Sequence, residues 1–439
     1  MVENKCNLDT KFLPTKSLSN NSETKNNTDN NSLSSDSSRY SIIQFETIIG
    51  SFKNDNYIRL IKEMSNGYIL VLHKMNDISI YEKNIKYKGI IKFNSIDNIE
   101  ISTFSKNNKN EINKNISNII ETNYSINKKD PNFIQLMECS KEGLNIYNLN
   151  LNNFDKKEII SFLKLSCTGC FEIKDNYVAV GEKGIFHFED LEVNELEDYR
   201  IDDLPIRGSI KINDNYIVLT SNSILPNGKD LLCIYDTNIK KFIKSLKYSF
   251  AIEENGLNLM DVVGEEDEKE KDKDTENKKG NKILLCACKK YTESQNNGIL
   301  IIDTNFSKIG EKEKIFYVFY GTDDFEVNCF CPLKIKNNNE LVTNYFLAGG
   351  LEKEKKQGMI KLYQVQFNEK GNDRINIEYL QDIIIEDNEN NKGFDKNIIC
   401  MKQCQSNGKI LISLSDGNLY LFSKPNLDYY IEEYQLLSN

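Results

Sequence analysis

The chain repeats one short pattern: an apolar run that ends in a large residue, a polar turn, and a second strand-like run. Clear copies are LLCIYDTNIKKFIKSL (231–246), GILIIDTNFSKIG (298–310) and DISIYEKNIKYKGIIKF (77–93). Asn, Asp and Gly fill the intervening turns, because they tolerate the left-handed backbone conformations that tight turns require. Sustained helical periodicity is almost absent, so the pattern predicts an all-β fold built from repeated units.

The copies align into seven units. The third strand of each unit is predicted to end near a large residue, and these anchors are Tyr81, Tyr147, Phe188, Tyr235, Ile302, Tyr363 and Phe422. A second strand precedes each anchor, as in YILVLHK (68–74), NYIVLTSN (215–222) and KILISLSDG (409–417). These second strands are apolar almost throughout, which predicts that neighbouring units cover both of their faces.

The unit KINDNYIVLTSNS followed by LLCIYDTNIKKFIKSL resembles the WD-repeat family of propellers. In that family the third strand typically ends in Trp-Asp. Tyr235-Asp236 and Ile302-Asp303 are similar to that dipeptide, although the chain has no Trp, no Gly-His pair and only two His. The resemblance implies a single WD40-like β-propeller, with seven four-stranded blades.

The domain organisation follows from composition. Residues 1–39 are rich in Asn, Ser, Thr and Lys, and we predict a disordered tail there, because such a segment buries too little apolar surface to offset ordering. Residues 40–439 are predicted to form the propeller. Its units average about 57 residues, against about 40–45 in the family. Polar insertions at about 106–130 and 265–280 account for the excess and are predicted to be solvated loops.

A propeller must close, because an open ring leaves unpaired strand edges. Two segments are candidates for the outer strand of the last blade. YSIIQFETIIGSF (40–52) fits the family habit of closing with an N-terminal strand, and DYYIEEYQLL (428–437) supplies a strand of similar character. The sequence leaves both possibilities open.

Charge and composition limit the classes of partner. The net charge is −10, and five of the 56 basic residues are Arg, so binding to nucleic acid or to a membrane surface is not expected. The N-terminus has no signal-peptide pattern, and no window is apolar enough to span a bilayer. We therefore expect a cytoplasmic or nuclear protein whose eleven Cys are reduced.

The Cys residues are the strongest candidates for a metal-binding or redox site. Cys167-Thr-Gly-Cys170 has the spacing of half a zinc or redox site. No matching second pair follows, and the motif fits the first strand of a blade, so we interpret these thiols as structural. Three further pairs on predicted strands would line the central channel if they lie on inner strands: Cys286/Cys288, Cys329/Cys331 and Cys400/Cys404.

Other candidate groups also have structural interpretations. His187 is predicted to be a packed or hydrogen-bonded core residue, and His73 to lie at a blade rim. Gly349-Gly350 are interpreted as turn glycines rather than a phosphate cradle, and Arg207-Gly208 lacks the second Arg of a paired-Arg phosphoinositide site. No catalytic, cofactor-binding or metal-binding residue is predicted, and no cofactor.

The leading hypothesis is a non-enzymatic scaffold that binds other proteins and mediates assembly of a multiprotein complex. It depends on the repeated units and on the lack of convergent titratable groups. The alternative is a propeller enzyme, or a ligand or metal binder, with its site at the central channel. Carboxylates or His at inner-strand ends facing the axis would distinguish this alternative.

Overall fold

A computed structural model of the 439-residue chain provides the structure. It describes residues 43–51, 57–74, 77–91, 116–121, 132–140, 143–152, 156–162, 167–174, 176–181, 184–188, 206–221, 230–248, 250–262, 281–290, 297–306, 315–337, 340–354, 356–367, 375–383 and 396–426. The predicted tail at 1–39 and the predicted loop at 265–280 therefore lie outside the described residues.

The strands form seven separate antiparallel sheets, one for each blade. Blade 1 contains β2 (Ile58–Glu63), β3 (Ile69–His73), β4 (Ile78–Tyr81) and β5 (Tyr87–Ile91). Blade 2 contains β6 (Ile116–Glu121), β7 (Phe133–Ser140), β8 (Gly143–Asn150) and β9 (Lys156–Phe162). Blade 3 contains β10 (Cys167–Ile173), β11 (Asn176–Gly181) and β12 (Gly184–Phe188). Three strands of blade 3 fall within the described residues.

Blades 4 to 6 follow the same order. Blade 4 contains β13 (Ile206–Lys211), β14 (Tyr216–Ser221), β15 (Asp230–Asp236) and β16 (Lys241–Tyr248). Blade 5 contains β17 (Phe250–Val262), β18 (Asn281–Lys290), β19 (Asn297–Asp303) and β20 (Tyr317–Asp323). Blade 6 contains β21 (Phe325–Asn337), β22 (Glu340–Glu352), β23 (Gln357–Phe367) and β24 (Ile375–Ile383). The predicted seven-bladed all-β propeller is confirmed, and each anchor residue lies on the third strand of its blade.

Blade 7 shows how the ring closes. It contains β25 (Ile398–Gln403), β26 (Ile410–Leu414) and β27 (Asn418–Phe422), and its outer strand is the N-terminal β1 (Phe45–Ser51). Phe45 pairs with Phe422, and Ser51 pairs with Asn418. The Ser423 amide donates to the Gln44 carbonyl at 2.8 Å, which extends the pairing by one step. Of the two candidate closing segments, the N-terminal one occupies this position.

The core is divided into seven apolar clusters, and each cluster lies between two neighbouring blades. Strand β3 shows why. Leu70 and Leu72 pack toward blade 2, whereas Ile69 and Val71, which point the opposite way, pack toward blade 7. Alternate side chains of a strand face opposite sides of the sheet, so a middle strand with neighbours on both sides must be apolar at every position. The predicted two-sided burial is confirmed.

The Asp-Thr-Asn turns have a common hydrogen-bonding pattern in blades 4 and 5. Asp236 Oδ1 accepts from the Asn238 amide, and Asp303 Oδ1 accepts from the Asn305 amide, both at 2.9 Å. The adjacent Thr hydroxyls donate at 2.7 Å to carbonyls of the same blade, Thr237 to Asp214 and Thr304 to Lys282. The Asp therefore shapes the turn itself, and the Thr ties that turn to a neighbouring strand end.

Two sequence interpretations need correction. Strand β6 lies inside the segment at about 106–130 that was assigned to a loop, so this segment supplies the first strand of blade 2. Gly349 and Gly350 lie within β22 and not in a turn. A Cβ on Gly350 would come within 1.8 Å of the Glu326 carbonyl oxygen, and one on Gly349 within 2.7 Å of Ile398. Both glycines are required by close packing, against β21 and against blade 7.

Removing the closing strand should destabilise the whole ring. We expect deletion of residues 1–51 to lower the melting temperature by roughly 10 °C or more, since it leaves β27 unpaired at its outer edge. Deletion of residues 1–42 is the matched control, because it keeps β1 and the buried Ile43. Circular dichroism melts of both proteins measure the difference, and equal melting temperatures would contradict the role given to β1.

The turn hydroxyls should contribute measurably to stability. Thr237→Val and Thr304→Val each remove one hydroxyl that donates to a carbonyl, and each should reduce the free energy of unfolding by about 1 kcal/mol. Thr47→Val is the matched control, because the Thr47 hydroxyl is exposed and contacts only the adjacent Ile48 carbonyl, at 3.5 Å. Denaturant titration gives all three values. A control as destabilising as the two turn variants would refute the assignment.

Candidate functional site

The first strand of each blade lies innermost in the ring. Contacts join β6 to β10, β10 to β13, β13 to β17, β17 to β21, β21 to β25 and β25 to β2. Each of these strands pairs with its own blade on one side only, because the other side faces the ring axis. Their backbone groups therefore need partners from outside the sheet.

Polar side chains from neighbouring inner strands supply several of these partners. The bonds run from Lys62 Nζ to the Ile119 carbonyl (2.8 Å), from Lys211 Nζ to the Glu172 carbonyl (2.5 Å), from Asn258 Nδ2 to the Phe330 carbonyl (3.0 Å), and from Asn328 Nδ2 to the Ile398 carbonyl (3.0 Å). Each donor and its acceptor lie on inner strands of adjacent blades. The inner wall is therefore tied together by side chains that are polar but structural.

Gln403 and Glu63 each make two hydrogen bonds to the backbone of a neighbouring blade. Gln403 of blade 7 accepts from the Lys334 amide at 2.7 Å and donates to the Lys334 carbonyl at 3.0 Å. Glu63 of blade 1 accepts from the amides of Gln405 and Ser406, which lie in the turn after β25. A carboxylate that accepts two backbone hydrogen bonds holds this turn in one position. The turn therefore forms a fixed wall of the space beside it.

That space is a cavity of about 660 Å³ between the inner strands of blades 5, 6 and 7. Strand β17 contributes Asn258 and Asp261, β21 contributes the stretch 330–334, and β25 with its following turn contributes 401–408. Lys424 and Pro425, which follow β27, complete the lining. The cavity lies at the end of the disc that carries the turn between the first and second strands of blade 7.

The cavity lining is cationic. Lys334, Lys402 and Lys424 line it, and none of their ammonium groups forms an ion pair or hydrogen bond with any described residue. Asp261 is the one carboxylate among the lining residues. The chain as a whole carries a net charge of −10, so the net charge of the cavity lining is opposite in sign to that of the chain. The arrangement suits a ligand that carries carboxylates or other anionic groups.

Thr343 gives the cavity a buried polar group. This residue of β22 is 6% exposed, and its Oγ1 has no hydrogen-bond partner among the described residues. A buried hydroxyl without a partner costs free energy, typically about 1–3 kcal/mol. Thr343 and the three lysines are distant in sequence, so no motif identified this site.

The candidate Cys pairs fall into different environments. Cys167 and Cys170 lie on the inner strand β10, next to Cys139 of β7, in an apolar cluster between blades 2 and 3. Cys286 and Cys288 lie on β18, a second strand, so they do not line the channel as the sequence hypothesis required. Cys329, Cys331 and Cys400 lie on inner strands, with Cys404 directly after β25, and Cys331 and Cys404 border the cavity.

Burial keeps the thiols of Cys167, Cys331 and Cys404 in their protonated form. Desolvation raises the pKa of Cys167, of Cys331 and of Cys404 to about 12 in each case. Lys402 opposes the shift at the two cavity residues without reversing it. Within the described residues, no group of three or more His, Cys, Asp or Glu side chains is arranged to hold a metal ion. At neutral pH the thiols of Cys167, Cys331 and Cys404 therefore pack as small apolar groups.

Both His residues contribute to packing. His187 is half-buried and its Nε2 lies 2.7 Å from the Tyr235 hydroxyl, which joins β12 of blade 3 to β15 of blade 4, so the predicted hydrogen bonding is present although the residue lies at the margin of the core. His73 is fully buried and its Nε2 lies 2.8 Å from Ser79 Oγ, so the prediction of a rim position was wrong. The His73 imidazole at the end of β3 can be buried because Ser79 on the paired strand β4 is a hydrogen-bonding partner for it.

The thiols should be slow to react in the folded protein. In a Cys6→Ser background, which removes the Cys outside the described residues, we expect little labelling by a disulfide reagent at neutral pH. The ten remaining thiols, all free and mostly buried, should label once the protein is denatured. Spectrophotometric titration with mass spectrometry measures this. Rapid labelling of Cys331 or Cys404 in the native protein would instead make the cavity thiols candidates for chemistry.

Comparison with known proteins supports the fold. No family model matches the chain, and no curated protein matches it. The solved structure of Raptor from Chaetomium thermophilum is similar over 87% of this chain, with 13% identity and a TM-score of 0.53, and the chain spans 29% of the length of that Raptor chain.

Two further structures have lower TM-scores. The β-propeller domain of Cps50 (Swd1) from Myceliophteria thermophila has 9% identity and a TM-score of 0.46, over 85% of this chain and 98% of that one. The C-terminal WD40 domain of Sif2 has 12% identity and a TM-score of 0.48, over 88% and 89%. At such identities the likeness concerns the fold alone. The chain has the fold of a seven-bladed, WD40-like β-propeller, as its resemblance to the WD-repeat family predicted.

Proposed function

We propose that the protein is a non-enzymatic scaffold that binds other proteins through the rim of the disc and mediates assembly of a multiprotein complex. One observation carries this proposal. Among the described residues, the large apolar side chains that are exposed lie on outer strands or directly beside them: Phe45, Ile48, Tyr87, Ile90, Ile239, Phe316 and Tyr379. Aromatic residues on an otherwise polar surface are typical of protein interfaces.

The exposed groups concentrate where the ring closes. Phe45 and Ile48 lie on β1 of blade 7, and Tyr87 and Ile90 lie on β5 of the neighbouring blade 1. Ile48 is 48% exposed and Tyr87 is 51% exposed, so both offer large areas for a partner to bury. Full burial of a large apolar side chain contributes about 1.5–3 kcal/mol, and roughly half of that remains available at side chains that are half-exposed. Together they suit the apolar centre of an interface.

Several of these side chains are held in place by the blade beneath them. The Tyr87 ring packs edge-on against Tyr81, with centroids 5.6 Å apart. The Phe45 ring packs against Tyr420 and Phe422 at 5.9 and 5.8 Å. A ring already fixed by packing loses less conformational entropy when a partner covers it. The rim therefore offers anchors that are ordered before binding.

A second function, binding of an anionic ligand at the inner strands, is favoured by one observation. In the cavity of blades 5 to 7, the ammonium groups of Lys334, Lys402 and Lys424 pair with no described residue. The two functions are compatible, because the cavity and the rim occupy different parts of the disc. We propose a cytoplasmic or nuclear location. Within the described part of the chain, no helix has the length and apolar character of a membrane span.

A rim variant tests the scaffold function. We expect affinity capture from the protein's own cells to recover stoichiometric protein partners with the wild type and to lose them with Ile48→Ser/Tyr87→Ser. Ile239→Ser is the matched control, because Ile239 is 56% exposed but lies on blade 4, away from the junction of blades 7 and 1 at which the interface is proposed. Metal content is determined on the same samples. Partners that survive the rim substitutions would refute the rim assignment, and a partner-free, metal-loaded protein would refute the scaffold.

A further inference from the structure

The cavity of blades 5 to 7 keeps its opposite charges apart. Lys334 on β21, Lys402 on β25 and Lys424 after β27 line the part formed by blades 6 and 7, whereas Asp261 lies on β17 of blade 5. All four residues line one cavity, yet no ion pair joins Asp261 to these lysines or to any other described residue. The cavity therefore has a cationic side and an anionic side.

Two of the lysines have defined positions in the cavity wall. The Lys424 stem packs on Gly408, since a Cβ built on that glycine would lie 3.3 and 3.4 Å from Lys424 Cγ and Cδ. Burial raises the pKa of Cys331 and of Cys404, and the positive charge of Lys402 opposes the rise at both thiols. Lys402 therefore lies near residues of both blades that form the cationic side. Groups that are already ordered lose less conformational entropy when they bind a ligand.

The turn after β25 adds hydrogen-bonding groups to the cavity. Gln405 and Ser406 line it, and Glu63 holds this turn in place through their backbone amides. Among the described residues, neither the Gln405 side-chain amide nor the Ser406 hydroxyl has a hydrogen-bond partner. Both side chains combine donors with acceptors, as a peptide main chain does. The half-buried Leu259 and Pro425 supply apolar contacts in the same lining.

The distribution of charge fits a peptide better than a phosphate group. The three lysines belong to separate segments of two blades, and no Arg is among the described lining residues. Phosphate recognition relies on converging charges or on the guanidinium fork, whereas single charges at intervals match a chain that carries carboxylates at intervals. The volume of about 660 Å³ has room for a segment of several residues.

We infer that this cavity binds a short segment of a partner protein that is basic at one end and acidic at the other. Its Lys or Arg pairs with Asp261, its Asp or Glu side chains pair with Lys334 and Lys402, and Gln405 bonds its main chain. The proposed binding of an anionic ligand is the basis of this assignment, which names the ligand class of the same site. A segment that is acidic throughout would place a like charge beside Asp261, so the cavity discriminates against it.

Fluorescence anisotropy with labelled heptapeptides and the full-length protein tests this polarity. The probes are KGSLEGE and its reverse EGELSGK, which cover both chain directions, and the same two peptides with Gln in place of Lys. We expect one Lys-containing probe to bind roughly threefold to fivefold more tightly than its Gln counterpart. Asp261→Asn should abolish that preference, because it removes the partner of the probe's ammonium group.

The cationic side is tested with the same probes. Lys334→Gln and Lys402→Gln should each weaken binding of the Lys-containing and the Gln-containing probe alike, by roughly threefold to fivefold. Lys241→Gln is the matched control, because Lys241 is an exposed lysine on β16 of blade 4 and should leave the affinity unchanged. A preference that survives Asp261→Asn, or equal affinities of Lys402→Gln and Lys241→Gln, would overturn the inference.

Inositol hexakisphosphate, measured in parallel by calorimetry, separates this inference from the function on which it rests. If the phosphate binds in a manner that requires Lys402 and no peptide binds, the cavity takes an anionic ligand but the peptide assignment is wrong. If neither the phosphate nor any peptide binds, both the assignment and the anionic-ligand function are wrong. Peptide binding that depends on both Asp261 and Lys402 is the result that we expect.

Discussion

Packing between blades is the interaction on which the rest of the structure depends. Each middle strand has two apolar faces, and a different neighbour covers each one, as β3 shows with blade 2 on one side and blade 7 on the other. An isolated blade would expose both faces to water, so no blade is a stable unit alone. The chain must therefore continue until the last blade meets the first. Closure by β1 is a consequence of this two-sided burial.

Much of this architecture was predictable, because two-sided burial leaves a clear mark in the sequence. The middle strands appear as apolar runs, and the turns between them appear as Asn, Asp and Gly clusters whose side chains bond the turn backbone, as Asp236 does. Strand β6 was missed because Ile119 and Ile120 stand in a polar surrounding. The choice between the two closing segments was not predictable, because both have the same local pattern and only the assembled ring distinguishes them.

The candidate site was not predictable, for a related reason. Lys334, Lys402, Lys424 and Thr343 belong to different blades or different strands, and their proximity exists only in the closed ring. The sequence drew attention to Cys pairs instead, since a short spacing is visible without a structure. In the ring those thiols are free and mostly buried side chains, and Gly349-Gly350 is a point of close contact between strands. The short sequence motifs therefore belong to packed parts of the structure. The candidate binding site is formed by residues that are distant from one another in the sequence.

The closing strand has a consequence for how the protein is made. Gln44 and Ser423, which bond at the junction of β1 and β27, are 379 residues apart in the chain. At translation rates of about 5–20 residues per second, β1 leaves the ribosome roughly 20–75 s before its partner is synthesised. During that interval the backbone of β1 has no partner strand, which makes the nascent chain prone to misassociation at its N-terminal end. The last blade synthesised is also the one that pairs this strand.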